Sequence, residues 1–207
     1  MSTLAIVQAR MTSTRFPGKV LAPLAGKPMV IRQLERIQRA RTLDAVVVAT
    51  SSDPSDDELA AVIERAGVPV VRGSLDDVLA RFIAAIDVFE PDTVVRLTAD
   101  CPLTSAAVID LVVEAFRASG ADYASNTMTP TYPDGLDVEV VKASVLRKVA
   151  EVASDPAERE HVTLGVYRRH DQYRIENVAA ALDLSSLRWT VDTPEDLAKA
   201  RKFFKDH

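Results

Sequence analysis

The alternation of short apolar runs with segments of helical periodicity is the feature that most constrains how this chain can fold. Strand-length apolar runs occupy residues 4–7, 44–50, 68–71 and 93–98. Runs of this kind are typical of strands that are buried on both faces of a sheet. Between the first two runs, Val30, Ile31, Leu34 and Ile37 recur at the spacing of one helix face. This order predicts an α/β protein in which helices cover a mainly parallel sheet.

Length and turn-forming residues indicate how the chain is organised. At 207 residues the chain suits one hydrophobic core, and we assign residues 1–207 to a single domain. The region 123–141 contains Pro130, Pro133 and Gly135, which favour loops and turns. We therefore expect an insertion over the site, or a dimerisation arm, in this region.

Composition argues against several classes of partner. The formal net charge of −5 gives no general attraction to nucleic acid or to an anionic membrane, so neither is expected. The N-terminal residues lack the charged and apolar regions of a secretory signal, and no stretch approaches the ~20 apolar residues that span a bilayer. Cys101 is the only cysteine, so no internal disulfide can form. We expect a cytoplasmic protein.

The loop after the first predicted strand is the strongest candidate for a ligand site. Open parallel sheets bind ligands beyond the carboxyl ends of their strands, and this loop holds Arg10, Ser13, Arg15 and Lys19. Fixed cations and loop amides neutralise and orient the oxygens of a triphosphate. The alternative is a solvated basic loop. The glycine patterns of the Walker A and dinucleotide-binding motifs are absent.

Four stretches carry a family resemblance that covers nearly the whole chain. They are VQARMTSTRFPGKVL at 7–21, LTADCPL at 97–103, YPDGLDVE at 132–139 and RWTVDTPEDL at 188–197. With them the chain resembles the cytidylyltransferases that make CMP-linked sugar acids, and most of all the branch called spore coat polysaccharide biosynthesis protein F. The resemblance implies a three-layer α/β/α sandwich with a mainly parallel, Rossmann-like and GT-A-like nucleotidyltransferase sheet.

The resemblance also implies a reaction and its partners. CMP would pass from CTP to a sugar acid with release of pyrophosphate, for the synthesis of a surface polysaccharide or glycan. Mg²⁺ is the implied cofactor, and a homodimer is the implied assembly. No nucleophile with an adjacent base is recognisable, since Cys101 has no evident base partner and the histidines lack metal-ligand spacing. Catalysis by positioning and charge stabilisation fits this pattern.

Site residues follow from matching these stretches to the family. The implied nucleotide-binding residues are Gln8, Ala9, Arg10, Ser13, Arg15, Lys19, Arg72 and Ser74. The implied catalytic residues are Arg10, Arg15, Lys19 and Asp100, and the implied metal ligands are Asp100 and Asp192.

The two acidic residues also have a structural interpretation. A carboxylate beside bound phosphate needs a cation to offset the repulsion, which favours a metal at Asp100. Asp100 could instead cap a following helix that has Pro102 in its first turn. A closing helix is predicted at 194–204, with Asp192 or Thr193 as its N-cap.

Two further pairs of residues are expected to determine substrate specificity. Arg72 and Ser74 follow the run at 68–71 and are candidates for cytosine recognition, although a structural turn explains them equally well. Asp137 and Glu139 are candidate contacts for the acceptor sugar. Their alternative is a β-hairpin used for packing or dimerisation.

Three other functions are compatible with the same residues. A nucleotidyltransferase could use another nucleoside triphosphate and another sugar. A glycosyltransferase could bind a ready-made nucleotide sugar on a related sheet. A noncatalytic nucleotide-binding protein could retain the fold. Pyrophosphate release that depends on the acceptor separates nucleotidyl transfer from the other two.

Overall fold

A seven-stranded sheet forms the centre of the computed structural model, which describes residues 1–206. In chain order, the strands are β1 Thr3–Gln8, β2 Pro23–Leu24, β3 Lys27–Pro28, β4 Ala45–Ser51, β5 Val70–Gly73, β6 Thr93–Thr98, β7 Tyr123–Ser125, β8 Glu139–Lys142 and β9 Ile175–Asn177. The spatial order of the sheet is β5-β4-β1-β6-β8-β7-β9, and β2 and β3 form a separate antiparallel pair. Only β8 runs antiparallel to its neighbours among the described strands of the main sheet.

Helices connect the strands and cover both faces of the sheet. In chain order they are α1 Met29–Ile37, α2 Asp57–Arg65, α3 Val78–Phe89, α4 Ala106–Ser119, α5 Ala143–Val152, α6 Pro156–Glu160, α7 Leu164–Tyr167 and α8 Pro194–Asp206. Short 3₁₀ helices occupy Lys19–Leu21 and Pro54–Asp56. The apolar faces of α1, α2 and α4 form one buried cluster with the sheet, and those of α3, α5 and α7 form another.

Strand β1 shows how the sequence separates these two layers. Side chains alternate across a strand, and Ala5 and Val7 join the first cluster while Leu4 and Ile6 join the second. All four are buried, and burying each larger one stabilises the fold by roughly 1.5–3 kcal/mol relative to exposure. The predicted three-layer α/β/α sandwich with a mainly parallel sheet is therefore confirmed.

The region 123–141 differs from a simple surface insertion at both of its ends. Tyr123–Ser125 forms β7 and Glu139–Lys142 forms β8, and these two strands pair with each other inside the main sheet. Asn126 fixes the connection between them, because its side chain donates to the carbonyl of Leu136 and accepts from the amide of Val138, both at 2.9 Å. The sequence pattern indicated loop or extended structure here, and the two short strands with a turn-rich connection between them contain both.

The C-terminal helix, α8, packs against the antiparallel pair of β2 and β3. Leu197 and Ala200 of α8 form a small apolar cluster with Leu24 and Met29. The chain immediately before α8 is thereby held next to the loop that follows β1. Among residues 1–206, none of the helices combines the length and the apolar character needed to cross a membrane.

Candidate active site

A cleft of ≈240 Å³ lies where β1 and β6 end, at the edge of the sheet where a ligand was expected. Its lining contains eight residues that the sequence predicted, from both ends of the chain: Gln8, Ala9, Arg10, Ser13, Arg15, Lys19, Asp100 and Asp192. The loop after β1, the exit of β6 and the segment before α8 therefore meet at one site. Their roles toward a ligand remain predictions.

The loop after β1 folds around one backbone carbonyl. The amides of Ser13 and Gly18 both donate to the carbonyl oxygen of Met11, each at 2.9 Å. Gly18 has φ +72°, a left-handed conformation that favours glycine. The 3₁₀ helix Lys19–Leu21 begins directly after this residue. Gly18 thus turns the chain so that the Lys19 side chain enters the cleft.

A buried carboxylate fastens this loop to the neighbouring strand. Asp56 Oδ1 accepts from the backbone amide of Met11 at 2.7 Å, and Oδ2 accepts from the backbone amide of Ser51 at 3.1 Å. The Ser51 hydroxyl also donates to Asp56. Because Asp56 is buried and its oxygens are satisfied, the position of the loop is set before any ligand binds.

Lys19 is the central cation of the site and is only 7% exposed. Its ammonium donates to Asp192 Oδ1 and to the carbonyl of Val191 at 2.8 Å, and to Asp100 Oδ2 at 3.3 Å. An ammonium has three N–H donors, so protein oxygens use all of them. Lys19 therefore joins the two acidic residues, and a direct contact with phosphate requires it to exchange one of these partners.

Asp100 is oriented by Lys19 and not by a helix. Burial would raise the pKa of its carboxyl, but the charge of Lys19, together with hydrogen bonds from Thr98, Lys19 and Cys101, outweighs burial and lowers the pKa. Helix α4 begins only at Ala106, after Ser105. The helix-capping interpretation of Asp100 is therefore wrong, because its carboxylate is directed to Lys19 at the cleft.

Asp192 is likewise free of a capping role. Thr193 caps α8, since its hydroxyl accepts from the amide of Asp196 at 3.2 Å while the Asp196 carboxylate accepts from the amide of Thr193 at 3.1 Å. The Asp192 carboxylate instead lies 2.9 Å from Arg15 Nη2 and accepts from Arg188 Nη2 at 2.5 Å. Of the two predicted caps, Thr193 is correct, and the charge of Asp192 remains with the cleft.

Arg10 and Arg15 are the cations that are accessible to a ligand. Their side chains are 43% and 64% exposed. Arg10 Nη2 lies 3.8 Å from the exposed Glu160, a separation at which an ion pair contributes little. Arg10 can reorient toward phosphate at small cost, whereas Arg15 would leave Asp192 at 2.9 Å and the buried Lys19 would leave one of its three oxygens.

The donor set of the cleft fits a magnesium ion only with help from a substrate. Within the described part of the chain, no group of three or more histidine, cysteine, aspartate or glutamate residues is arranged to hold a metal. Asp100 and Asp192 both lie within 3.3 Å of Lys19 Nζ. Mg²⁺ in phosphate-transferring sites is commonly held by one or two carboxylates together with phosphate oxygens. Two carboxylates in this arrangement satisfy that requirement.

A second cavity, of ≈390 Å³, adjoins the first at Thr98, which lines both. Asp137 and Glu139 line it, as do Arg96 and Tyr167. The sequence predicted Asp137 and Glu139 as acceptor contacts, and the structure brings them together beside the cleft. The two cavities thus form adjoining spaces beyond the end of β6.

The two carboxylates of the second cavity differ in their environments. Glu139 is buried, pairs with Arg96 and accepts hydrogen bonds from Tyr123 Oη at 2.6 Å and Thr163 Oγ1 at 2.5 Å. Asp137 lines the cavity with part of its surface open to solvent, and the partial burial of its carboxyl, together with the charges of Asp134 and Glu139, raises its pKa to about 6. Glu139 is held by protein groups, while Asp137 is available to a ligand.

The chain matches known proteins along nearly its whole length. The sequence pattern of the family described as Cytidylyltransferase matches residues 4–204. The chain belongs to the cytidylyltransferase family. Among curated relatives, the spore coat polysaccharide biosynthesis protein SpsF of Bacillus subtilis is 34% identical, over 98% of this chain and 86% of that protein. A 3-deoxy-manno-octulosonate cytidylyltransferase of Anaeromyxobacter dehalogenans is 31% identical, over 95% of each chain.

Solved structures agree with this assignment. A cytidylyltransferase from Leptospira borgpetersenii superposes with a TM-score of 0.96 at 31% identity, covering 100% of this chain and 88% of that one. A CMP:2-keto-3-deoxy-manno-octonic acid synthetase complexed with CTP superposes with a TM-score of 0.74, covering 100% and 99% of the two chains. At 18% identity the second match establishes the shared fold alone.

Arg72 and Ser74 do not line the cleft of this cytidylyltransferase. The sequence placed Arg72 beyond a strand at 68–71, but the strand is Val70–Gly73 and includes it. Arg72 Nε donates to the carbonyl of Ser51 at 2.8 Å, and Nη2 donates to Asp57 at 2.6 Å. Ser74 Oγ accepts from the amide of Asp77 at 3.1 Å, as in a structural turn. Base recognition by Arg72 and Ser74 stays a prediction that this geometry does not support.

Three ionisable residues of the cleft were missed by sequence reasoning. Arg81, on α3, and the neighbours Glu160 and His161 line it together with the predicted residues. Glu160 and His161 end a helix of five residues that carries no strong sequence pattern. Arg81 did carry a signal, because it follows Val78 by three residues and precedes Ala85 by four, on the buried face of the helix.

Proposed function

We propose that this cytidylyltransferase transfers CMP from CTP to a hydroxyl group of a sugar acid and releases pyrophosphate, in the synthesis of a surface polysaccharide or glycan. One observation carries the proposal. The basic loop after β1 and two acidic residues from β6 and from the segment before α8 converge on one cleft, with Lys19 bonded to both acids. The name of the Anaeromyxobacter dehalogenans relative, a 3-deoxy-manno-octulosonate cytidylyltransferase, supports CTP as donor and a sugar acid as acceptor, and the name of the Bacillus subtilis relative supports a role in polysaccharide synthesis.

The proposed step is an in-line displacement at phosphorus. The acceptor hydroxyl oxygen forms a bond to the α-phosphorus of CTP, and the bond from that phosphorus to the oxygen bridging to the β-phosphorus breaks. Pyrophosphate leaves with the electron pair, and the hydroxyl proton passes to solvent or to Asp137, whose pKa of about 6 suits it to accept one.

The residues of the cleft divide this task by their accessibility. Arg10 and Arg15 bind and orient the triphosphate, and Lys19 keeps the two carboxylates in place. Asp100 and Asp192 would hold Mg²⁺, which supplies charge neutralisation for the phosphates and the leaving group. No covalent intermediate is needed, because positioning and electrostatic stabilisation supply the catalysis.

A substrate screen tests the proposal directly. Pyrophosphate release is measured with each of the four common nucleoside triphosphates, with Mg²⁺ and with a panel of sugar acids. We expect release that requires CTP, the sugar acid and Mg²⁺ together. Release with another triphosphate at equal rate would identify a different nucleotidyltransferase. Consumption of a nucleotide sugar without pyrophosphate release would identify a glycosyltransferase.

We also propose a homodimer that includes part of the region 123–141. Met128 in this region is exposed, and so are Leu182 and Leu184 of a neighbouring segment. The two segments are joined where the amide of Leu184 donates to the carbonyl of Thr131 at 2.8 Å. Exposed apolar residues that lie together are typical of protein interfaces.

Light scattering at micromolar concentration measures the assembly, and we expect the mass of a dimer that Leu182→Glu converts to the mass of a monomer. A monomer mass for the unmodified protein would contradict the proposal.

Cys101 is a buried free thiol, and with no second cysteine in the chain we propose the cytoplasm as the location.

A further inference from the structure

Arg81 is a buried cation that no described protein group satisfies. It is 2% exposed, and its Nε and Nη1 atoms have no hydrogen-bond partner among residues 1–206. Burying an unpaired charged donor is costly, and native proteins rarely retain one without a reason. Because Arg81 also lines the nucleotide cleft, a bound ligand can supply the missing acceptors.

The carboxylates near Arg81 are occupied by other donors. Asp56 and Asp77 act on its charge, but neither forms an ion pair with it. Asp56 accepts from the amide of Met11 at 2.7 Å, and Asp77 accepts from the amide of Ala80 at 2.8 Å. Arg81 therefore differs from a structural arginine, whose guanidinium is normally paired when it is buried.

The packing of helix α3 against the sheet places Arg81 on one side of the cleft. Helix α3 follows β5 and packs against β5, β4 and β1. Asp100 follows β6, and β4 and β6 lie on opposite sides of β1, roughly 10 Å apart. The charged groups that act on Arg81 include Asp56, which follows β4, Asp77, which follows β5, and Arg10.

A nucleotide that binds along the cleft has its phosphates at one end and its base at the other. Resting on the proposed function, which places Mg²⁺ and the phosphates that it neutralises at Asp100 and Asp192, we propose that Arg81 reads the base of CTP and donates to O2 and N3 of the cytosine ring. This gives base selection to a residue on α3, and not to Arg72, whose guanidinium is bonded to the backbone beyond β4.

The chemistry of the two pyrimidines makes Arg81 selective. Cytosine presents acceptors at both O2 and N3, which suit the fixed donor fork of a guanidinium. Uracil carries a hydrogen at N3, so one donor of Arg81 would face another donor and both would remain unpaired. A site built to donate to a substrate atom strongly disfavours an analogue that cannot accept there.

Binding measurements on Arg81→Met test this assignment. Methionine keeps the length of the side chain and removes every donor, and Arg147→Met, a surface arginine paired with Asp87, is the matched control. Calorimetric titrations use CTP, UTP and inorganic triphosphate, each with Mg²⁺. For Arg81→Met we expect CTP affinity to fall about ten- to a hundredfold, with inorganic triphosphate unchanged and the preference for CTP over UTP lost.

Thermal melting supplies a second readout. Removing an unsatisfied buried charge should leave the melting temperature of Arg81→Met equal to or above that of the unmodified protein. Unchanged CTP affinity, or a drop in melting temperature without a change in base preference, would identify a purely structural arginine and overturn the inference. An equal loss of CTP and inorganic triphosphate affinity would make Arg81 a phosphate ligand and also overturn it. An unmodified protein that binds CTP no better than UTP would overturn both this inference and the proposed use of CTP.

Discussion

Replacing Lys19 should cost the protein stability as well as activity. In Lys19→Met, Asp192 keeps Arg15 and Arg188, but Asp100 loses the only cation that the structure shows in contact with it among the described residues. Hydrogen bonds to charged groups contribute roughly 1.5–3 kcal/mol each, and breaking a buried pair costs about 3–5 kcal/mol. Because Asp100 retains partial solvent contact, we expect unfolding free energy to fall by about 3 kcal/mol.

Chemical and thermal unfolding measure this loss. In a chain of this size, about 3 kcal/mol lowers the melting temperature by roughly 6–12 °C. Lys27→Met is the matched control, since Lys27 pairs with Glu35 at the surface, and exposed pairs contribute about 0–1 kcal/mol. If Lys19→Met unfolds at the same urea concentration as Lys27→Met, the idea that Lys19 stabilises the site is refuted.

The loss of stability in Lys19→Met should also depend on pH, because it depends on the charge of Asp100. The pKa of Asp100 is lowered in the folded protein, so its stabilising contribution is present above the ordinary pKa of an aspartate and is lost as pH falls through the lowered value. The difference between the unmodified protein and Lys19→Met should therefore shrink below about pH 4. In the double variant Lys19→Met with Asp100→Asn, the loss should be smaller than the sum of the two single losses. Strict additivity would contradict a direct interaction.

Three further predictions follow from residues at or near the site. Asp100→Asn should lower Mg²⁺-dependent turnover about a hundredfold or more, with unchanged helix content by circular dichroism, because α4 begins beyond it; full turnover would contradict the metal assignment. Asp137 has a pKa raised to about 6, so protonation favours the folded state and stability falls as pH rises from about 4 to 6. Asp137→Asn should melt at a higher temperature than the unmodified protein at pH 7.5 and at the same temperature at pH 3.5. A difference in melting temperature that is the same at both pH values would contradict the raised pKa. In Gly135→Ala the new Cβ would come within 2.8 Å of the Thr190 amide, so we expect the unfolding free energy to fall by more than about 2 kcal/mol; Gly67→Ala, which also has positive φ but no atom within 4 Å, is the control, and equal losses would assign the effect to backbone strain alone.

The sheet could be predicted because its central strands are continuous apolar runs. Strand β6 has the predicted bounds, and β1 and β4 differ from prediction by a residue at their ends. By contrast, β7 and β8 contain three and four residues. Runs that short, separated by prolines and a glycine, give too few alternating positions to distinguish a strand from a loop.

Reasoning from the residues alone predicted the cleft where charge coincided with a strand exit, and the family resemblance supplied Gln8, Ala9 and Asp192. Arg10, Lys19 and Asp100 satisfied that condition and lie together in the structure. One feature could not be read from the sequence, because the burial of Lys19 depends on a segment far along the chain. Arg81 did carry a signal, as a charged residue on a helix face whose other residues are apolar, but the prediction did not use it.

The hydrogen bond from Lys19 to the carbonyl of Val191 spans 172 residues, and this separation affects the protein while it is still being made. Chains fold progressively as they leave the ribosome, so β1, β4 and β6 can assemble before the partners of the Lys19 ammonium have been translated. A ribosome that stalls short of residue 191 would carry the strands of a nucleotide site and its basic loop, but not the carbonyl and carboxylate that hold Lys19 in place. The cleft proposed to bind nucleotide is therefore completed only late in synthesis.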